Sequence, residues 1–329
     1  MSRELLITNI QRFSTNDGPG FRTNVFIKGC SMKCSWCHNP ETISIQRDLF
    51  WKKRLCIQCG SCSEVCPEQA IHLPDGGFSK SDQPDDVDKQ IHIIDRDKCT
   101  RCMACVDVCP SGAMEISGKA TTIDEIIKEV ESDMPFYANS GGGMTISGGE
   151  PTTQNQTTAD LIDRAHSQGI EVCLDTNGYC LWETFQSLTK KADIVLFDLK
   201  HLDPKAHIKE TGVDNTLILD NLKKLIQYHM HIWIRIPIIP DFNQNDAFYE
   251  QASNFLSSFD GKIERIDLLP FHNWCEDKYG WLGKKWPYKA HDALDPSMLD
   301  PALKIFRKKG LNATIGGSGF ECPPEIEQV

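Results

Sequence analysis

Two copies of one cysteine run constrain this chain more than any other feature. Cys56-x2-Cys59-x2-Cys62-x3-Cys66-Pro67 recurs as Cys99-x2-Cys102-x2-Cys105-x3-Cys109-Pro110. Even the tails correspond, Glu68-Gln69-Ala70-Ile71 against Ser111-Gly112-Ala113-Met114. A third group, Cys30-x3-Cys34-x2-Cys37, precedes them, so eleven of the fifteen cysteines fall between Cys30 and Cys109. The other four, Cys173, Cys180, Cys275 and Cys322, are scattered. The opening MSRELLITNIQRF has neither the apolar stretch nor the small-residue cleavage site of a secretory signal, which predicts a cytoplasmic protein. Thiols stay reduced in that compartment, so clustered cysteines predict metal sites rather than a disulfide framework.

The 329 residues suit two domains, or one large domain carrying an insertion. A net charge of −11 argues against nucleic-acid binding, which leans on Lys and Arg. The basic stretches Lys52-Lys53-Arg54 and Lys284-Lys285 are short and read as solvated faces. No apolar run reaches the ~18 residues of a membrane span. Residues 1–51 open with a strand and a glycine-rich turn, Asn16-Asp17-Gly18-Pro19-Gly20, and the β-rich run Thr23 to Lys28 leads into the first cysteine group. Residues 52–115 are cysteine-rich and proline-punctuated, and 74–90 read as an exposed loop. From 116 onward the chain alternates. A helix with apolar spacing at Ile123, Ile126, Ile127 and Val130 precedes strands at Met144–Ser147, Glu171–Asp175, Asp193–Asp198, Ile232–Ile239 and Arg265–Leu269. Helical stretches near 156–168, 181–190, 216–229 and 245–258 separate the strands.

Strand alternating with helix predicts βαβ units and a parallel sheet. The expected architecture is α/β: a partial (β/α)6 TIM-like barrel with an inserted bacterial-ferredoxin-like domain. Residues 1–51 would start the barrel, 52–115 form the insert and 116–329 complete the barrel. Chemistry in such folds sits at the C-terminal ends of the strands, where each motif below lies.

Cys30-Ser-Met-Lys-Cys34-Ser-Trp-Cys37 can grip three irons of a cubane, and no fourth cysteine follows at ferredoxin spacing. One iron is then open to substrate, as catalytic zinc keeps an open position. A zinc knuckle completed by His38 is the bland alternative. In Ser147-Gly148-Gly149-Glu150-Pro151 the glycines let backbone approach a ligand, and the carboxylate can take an ammonium; a plain turn is the alternative. Asp175-Thr176-Asn177-Gly178, Asp198-Leu199-Lys200 and Pro270-Phe271-His272 each close a strand and so point to a shared pocket. The doubled run has the bacterial ferredoxin order, in which the fourth cysteine ligates the other cluster. Cluster one would use Cys56, Cys59, Cys62 and Cys109; cluster two would use Cys99, Cys102, Cys105 and Cys66. Both are fully ligated, which suits electron transfer. Cys173 reads as core, and Cys180, Cys275 and Cys322 as structural.

The three-cysteine spacing directly after a strand resembles the radical S-adenosylmethionine (SAM) superfamily. The resemblance implies that SAM binds the open iron through its amino and carboxylate groups and is cleaved reductively to a 5′-deoxyadenosyl radical. Gly148-Gly149-Glu150 is similar to the motif that holds the SAM amino group. The strand-end motifs resemble those of pyruvate formate-lyase activating enzyme, which implies SAM contacts from Lys200 and His272 and a monovalent-cation site from Asp175 and Thr176 with Asp198 helping. Arg235 matches a strand arginine near SAM.

Phe13-Ser-Thr-Asn-Asp17-Gly18-Pro19-Gly20-Phe-Arg22, Phe26-Ile-Lys-Gly-Cys30 and Cys37-His38-Asn39-Pro40-Glu41-Thr42 resemble the signature of glycyl radical enzyme activating enzymes, over nearly the whole chain. The resemblance implies hydrogen abstraction from a backbone glycine of a partner enzyme. It also implies three [4Fe–4S] clusters, a flavodoxin or ferredoxin as electron donor, and contact of Asp17 with the partner's glycine loop, though Asp-Gly-Pro-Gly forms a turn in any protein. The two-cluster insert matches a subset of these enzymes. Ile10-Gln-Arg-Phe-Ser and the Cys-His-Asn-Pro-Glu-Thr end lean toward a fumarate-adding partner such as benzylsuccinate synthase. Rival readings are another radical SAM enzyme with auxiliary clusters, a ferredoxin-type electron carrier, and a zinc-binding scaffold. The stretch Ile315-Gly-Gly-Ser-Gly-Phe320 reads as the end of a strand rather than a glycyl radical site.

Overall fold

A computed structural model describes residues 3–72, 94–259 and 261–319. The loop expected at 74–90, Phe320 and Cys322 lie outside them. Among the described residues, nine strands form one sheet, in the order β11-β10-β9-β8-β7-β6-β2-β1-β5. They are β1 (Glu4–Ser14), β2 (Arg22–Ile27), β5 (Lys119–Thr122), β6 (Gly143–Gly148), β7 (Val172–Thr176), β8 (Ile194–Asp198), β9 (Ile232–Ile238), β10 (Arg265–Pro270) and β11 (Ala313–Ile315). From β2 through β6 to β11 every pairing is parallel, while β1 runs antiparallel to both β2 and β5. The expected barrel strands are all present. A seventh parallel strand, β11, joins them; three residues, Ala-Thr-Ile, are too few to carry a readable period.

These strands are apolar on both faces because helices cover the sheet outside while the barrel is packed within. Val25, Ile27, Met144, Ile146, Val172, Leu174, Val195, Phe197, Ile234, Ile236 and Leu268 are all fully buried. The helix Trp182–Thr189 sets Phe185 edge-on against Phe197 of β8, ring centroids 6.0 Å apart. Truncating such a buried ring to alanine costs about 3–5 kcal/mol. The helix Ile123–Glu131 starts where expected because Thr122 and Glu125 cap each other reciprocally. The open edge of the barrel is tied shut by its tail: Gly319 N donates to Thr15 O at 2.6 Å, and Gly20 N donates to Gly319 O at 3.2 Å. A Cβ at 319 would sit 2.0 Å from Gly18 O, so only glycine allows this approach.

The cysteine-rich segment is gripped at both ends by a two-stranded antiparallel sheet, β3 (Asp48–Trp51) against β4 (Met114–Ser117). It has its own small core, including Leu49, Trp51, Ile71, Ile94, Met103 and Met114. The sequence repeat is a backbone repeat as well. Left-handed φ at Gln58, Gly60 and Gln69 recurs at Arg101, Met103 and Gly112. Four of these six residues are not glycine, and each such residue costs roughly 1–2 kcal/mol in that conformation. The surroundings must therefore over-determine both turns.

Candidate active site

The cysteine loop leaves β2 and is held from several sides. Gly29 N donates to Thr42 O, Lys33 N to Thr211 O and Ser35 N to Glu210 O, at 2.7 to 2.9 Å. The phenol of Tyr279 donates to Cys37 O at 2.9 Å. Beneath the loop lie Gly148 and Gly149 at the end of β6. A Cβ on Gly149 would meet Gly29 O at 2.2 Å, so the two glycines set the spacing between the cysteine loop and the strand end.

The loop and the strand ends enclose a cavity of about 530 Å³, a size that suits a small-molecule cofactor. Cys30, Cys34 and Cys37 line it together with Gly148, Gly149, Asp175, Thr176, Asp198, Lys200, Arg235 and His272. Among the described residues, no fourth cysteine lines it. Burial raises all three thiols, that of Cys30 to about 12. Uncompensated thiolates would be costly here, and a bound cation or metal centre removes that cost. Among the described residues, no three His, Cys, Asp or Glu converge as on a single metal ion. A cubane instead spreads its thiolates over separate irons.

Two expected site residues stand behind the cavity wall. The Glu150 carboxylate is fully buried and accepts from Thr152 N at 3.1 Å, Thr176 Oγ1 at 2.8 Å and Asn177 N at 2.8 Å. Its side chain braces the end of β7 from both oxygens, Oε1 accepting from Thr152 and Thr176 and Oε2 from Asn177. Asp17 accepts from Arg235 Nη1 at 3.2 Å and from Ser14 and Asn24. Burial pushes its carboxyl up, but Arg235 and these donors outweigh that and hold it below the usual range. Its neighbour Asn16 reaches the cavity.

Arg235 Nη1 lies 3.2 Å from both Asp17 and Asp175. Asp175 also accepts from Ser147 at 2.6 Å, and its Oδ1 is buried without a hydrogen-bond partner. Burial, with the Asp198 charge adding to it and Arg235 opposing, lifts its carboxyl to about 6. Lys200 Nζ donates to Asp198 at 2.6 Å. Burial alone would lower this ammonium, but the charge and hydrogen bond of Asp198 raise it, with Cys34 and Cys30 adding to this as thiolates, so it stays charged beside the cysteines. His272 stacks between His38, 3.9 Å away, and Trp274, 4.5 Å away. Burial depresses both imidazoles, that of His38 to about 3.

Asn177 belongs to the strand-end motif Asp175-Thr176-Asn177-Gly178, and its contact with the cysteine loop is a role of its own. Its Nδ2 donates to Cys30 Sγ at 3.7 Å, and its backbone N–H serves Glu150. Only the proximity of β7 to the cysteine loop reveals this, and no spacing in the sequence encodes it.

In the insert, one void of about 20 Å³ is ringed by Cys56, Cys59, Cys62 and Cys109. A second of the same size is ringed by Cys66, Cys99, Cys102 and Cys105. The fold thus pairs the last cysteine of each run with the first three of the other. Cys173 is fully buried in β7, packed with Leu196 and Trp233.

The 4Fe-4S dicluster domain family matches residues 55–113, the 4Fe-4S single cluster domain residues 16–67, and the radical SAM superfamily residues 97–250. A radical SAM methyltransferase from Sphaerobacter thermophilus shares the fold, with a TM-score of 0.50 at 11% identity over 96% of this chain and 77% of that one. The benzylsuccinate synthase activating enzyme of Thauera aromatica is 39% identical over 95% of this chain and 92% of its own length. The chain belongs to the glycyl radical enzyme activating enzymes of the radical SAM superfamily. Relatives in this family serve varied partners. The (2S)-3-sulfopropanediol dehydratase activating enzyme of Klebsiella oxytoca and the trans-4-hydroxy-L-proline dehydratase activating enzyme of Clostridioides difficile are each 38% identical, covering 96% and 99% of their own lengths. As an activating enzyme of this superfamily, the chain is a SAM- and iron–sulfur-dependent oxidoreductase that acts on a glycyl radical enzyme. Among the described residues, no helix is long and apolar enough to cross a membrane.

Proposed function

We propose that the chain holds a SAM-binding [4Fe–4S] cluster on Cys30, Cys34 and Cys37. Two further clusters would sit in the insert of residues 52–115, one on Cys56, Cys59, Cys62 and Cys109, the other on Cys99, Cys102, Cys105 and Cys66. The observation that carries this reading is the donor set among the described residues: three cysteines and no fourth on the large cavity, four on each small void. When bound, the open-iron cluster supplies one electron for homolysis of the SAM C–S bond. Gly148 and Gly149 offer backbone to the methionyl end, while Lys200 and His272 face the rest of the ligand. Asp175, with its unpartnered Oδ1, would take a monovalent cation together with Thr176 and Asp198. Arg235 holds Asp175 and Asp17 in place, and Asp17 orders the turn that meets the partner's glycine loop.

The opening Ile10-Gln-Arg-Phe-Ser and the end of the cysteine loop favour a fumarate-adding enzyme as partner, in line with the likeness to the Thauera aromatica relative. The electron donor would be a flavodoxin or ferredoxin docking at the insert. Anaerobic reconstitution with iron and sulfide, followed by reduction and mixing with SAM and a panel of glycyl radical enzymes, tests the reading. A glycyl radical doublet in electron paramagnetic resonance is expected on one panel member, in the fumarate-adding class. A doublet on a dehydratase alone would overturn the partner assignment, and no doublet on any member would overturn the activity.

A further inference from the structure

Four of the residues lining the large cavity are solvent-exposed: Asn16, Trp274, Ala293 and Pro296. They form its rim. None carries a charge, and only Trp274 is large. Its indole is 83% exposed, more than any other large apolar side chain among the described residues. Tryptophan is enriched at interfaces, where its broad apolar face is covered and its N–H finds a partner. This ring is not loose. It stacks on His272 at 4.5 Å, and His272 stacks on His38 at 3.9 Å, beside Cys37. The stack holds the outer face of the indole open at the mouth.

We infer that Trp274 is a recognition residue for the partner: its outer face is the platform on which the glycine-bearing segment lies as it enters the cavity. The inference rests on the activating function and extends it to how the protein substrate is selected. A glycine segment has little side chain to grip, so recognition must use backbone. A flat aromatic face offers area and N–H···π contacts without demanding a particular side chain. The small side chains of Ala293, Pro296 and Asn16 leave room beside the indole for a narrow strand of chain. Tryptophan at the centre of an interface is also the residue most often found to dominate binding.

The test uses the reconstituted full chain and the panel member on which the wild type raises a radical. Trp274→Ala should weaken partner affinity about tenfold or more by biolayer interferometry, a measurement that needs no turnover. The KM for partner should rise by a similar factor, with kcat nearly unchanged. Trp274→Phe should restore most of both. Iron content and SAM affinity should match the wild type in each variant. Unchanged partner affinity in Trp274→Ala would overturn the inference. So would weakened SAM affinity, which would make the indole part of the cofactor site. A wild type that raises no radical and binds no panel member would instead overturn the activating function, and this inference with it.

Discussion

Asn177 Nδ2 stands 3.7 Å from Cys30 Sγ, the one side-chain amide donor aimed at a cysteine of the large cavity among the described hydrogen bonds. Hydrogen bonds to cluster sulfurs raise reduction potential by stabilising the more negative, reduced state. Asn177→Ala should therefore lower the potential of the cluster on Cys30, Cys34 and Cys37. A hydrogen bond of ordinary net strength corresponds to roughly 20–65 mV for one electron. A redox titration followed by electron paramagnetic resonance reads the shift, and an unchanged potential would show that the amide does not act on the sulfur.

The crossed ligation of the insert has a simple stoichiometric test. Cys56 and Cys109 ring the same void, whereas Cys56 and Cys66 ring different ones. The wild type should carry about twelve irons. Cys56→Ser with Cys109→Ser should lose about four, and Cys56→Ser with Cys66→Ser about eight. If each run instead held its own cluster, these two outcomes would exchange.

Arg235 is 12% exposed and lies between Asp17 and Asp175. Removing the cation leaves two largely buried carboxylates facing each other. Arg235→Met should cost on the order of 3–5 kcal/mol of stability. Asp17→Asn should cost less, and the double variant Arg235→Met/Asp175→Asn should recover part of the loss. Calorimetric midpoints of the cluster-free chain order the three variants.

Asp17 gives the same network a pH signature. Its folded carboxyl lies below the ordinary value of about 3.9. Its contribution is thus fully present above that pH and is lost as pH falls through the folded value. The stability gap between wild type and Asp17→Asn should shrink as pH falls below about pH 4. Urea unfolding of the cluster-free chain across this range measures it, and a gap that widened on acidification would contradict the assigned ion pair.

Periodicity made the parallel strands β2 and β6 through β10 legible, because each is a run of buried β-branched and aliphatic residues longer than a turn. The doubled cysteine run was legible for a different reason: its spacing encodes the ligand order, and the left-handed positions repeat with it. What stayed hidden depends on contacts between distant segments. β11 is too short to show a period, and the closure of the barrel by Gly319 against Thr15 looks in sequence like one more glycine-rich stretch. Glu150 was readable as a polar residue at a strand end, but its inward turn depends on the hydroxyl of Thr176 and two backbone N–H groups. Arg235 was placed near the ligand by its strand, yet its tie to Asp17 spans most of the chain. Trp274 follows a recognisable Pro-Phe-His and carries no motif of its own; only its exposure at the cavity mouth distinguishes it.

In the proposed function, this chain's cavity delivers a hydrogen atom from a partner's backbone glycine to the deoxyadenosyl carbon of SAM. The most direct measurement is isotope transfer. The partner is prepared with glycine deuterated at Cα, the reconstituted and reduced chain is added with unlabelled SAM, and 5′-deoxyadenosine is analysed by mass spectrometry. One deuterium per deoxyadenosine, appearing with the glycyl radical and absent in Cys30→Ala, is the predicted result. Deoxyadenosine free of deuterium, formed while the partner stays diamagnetic, would contradict it.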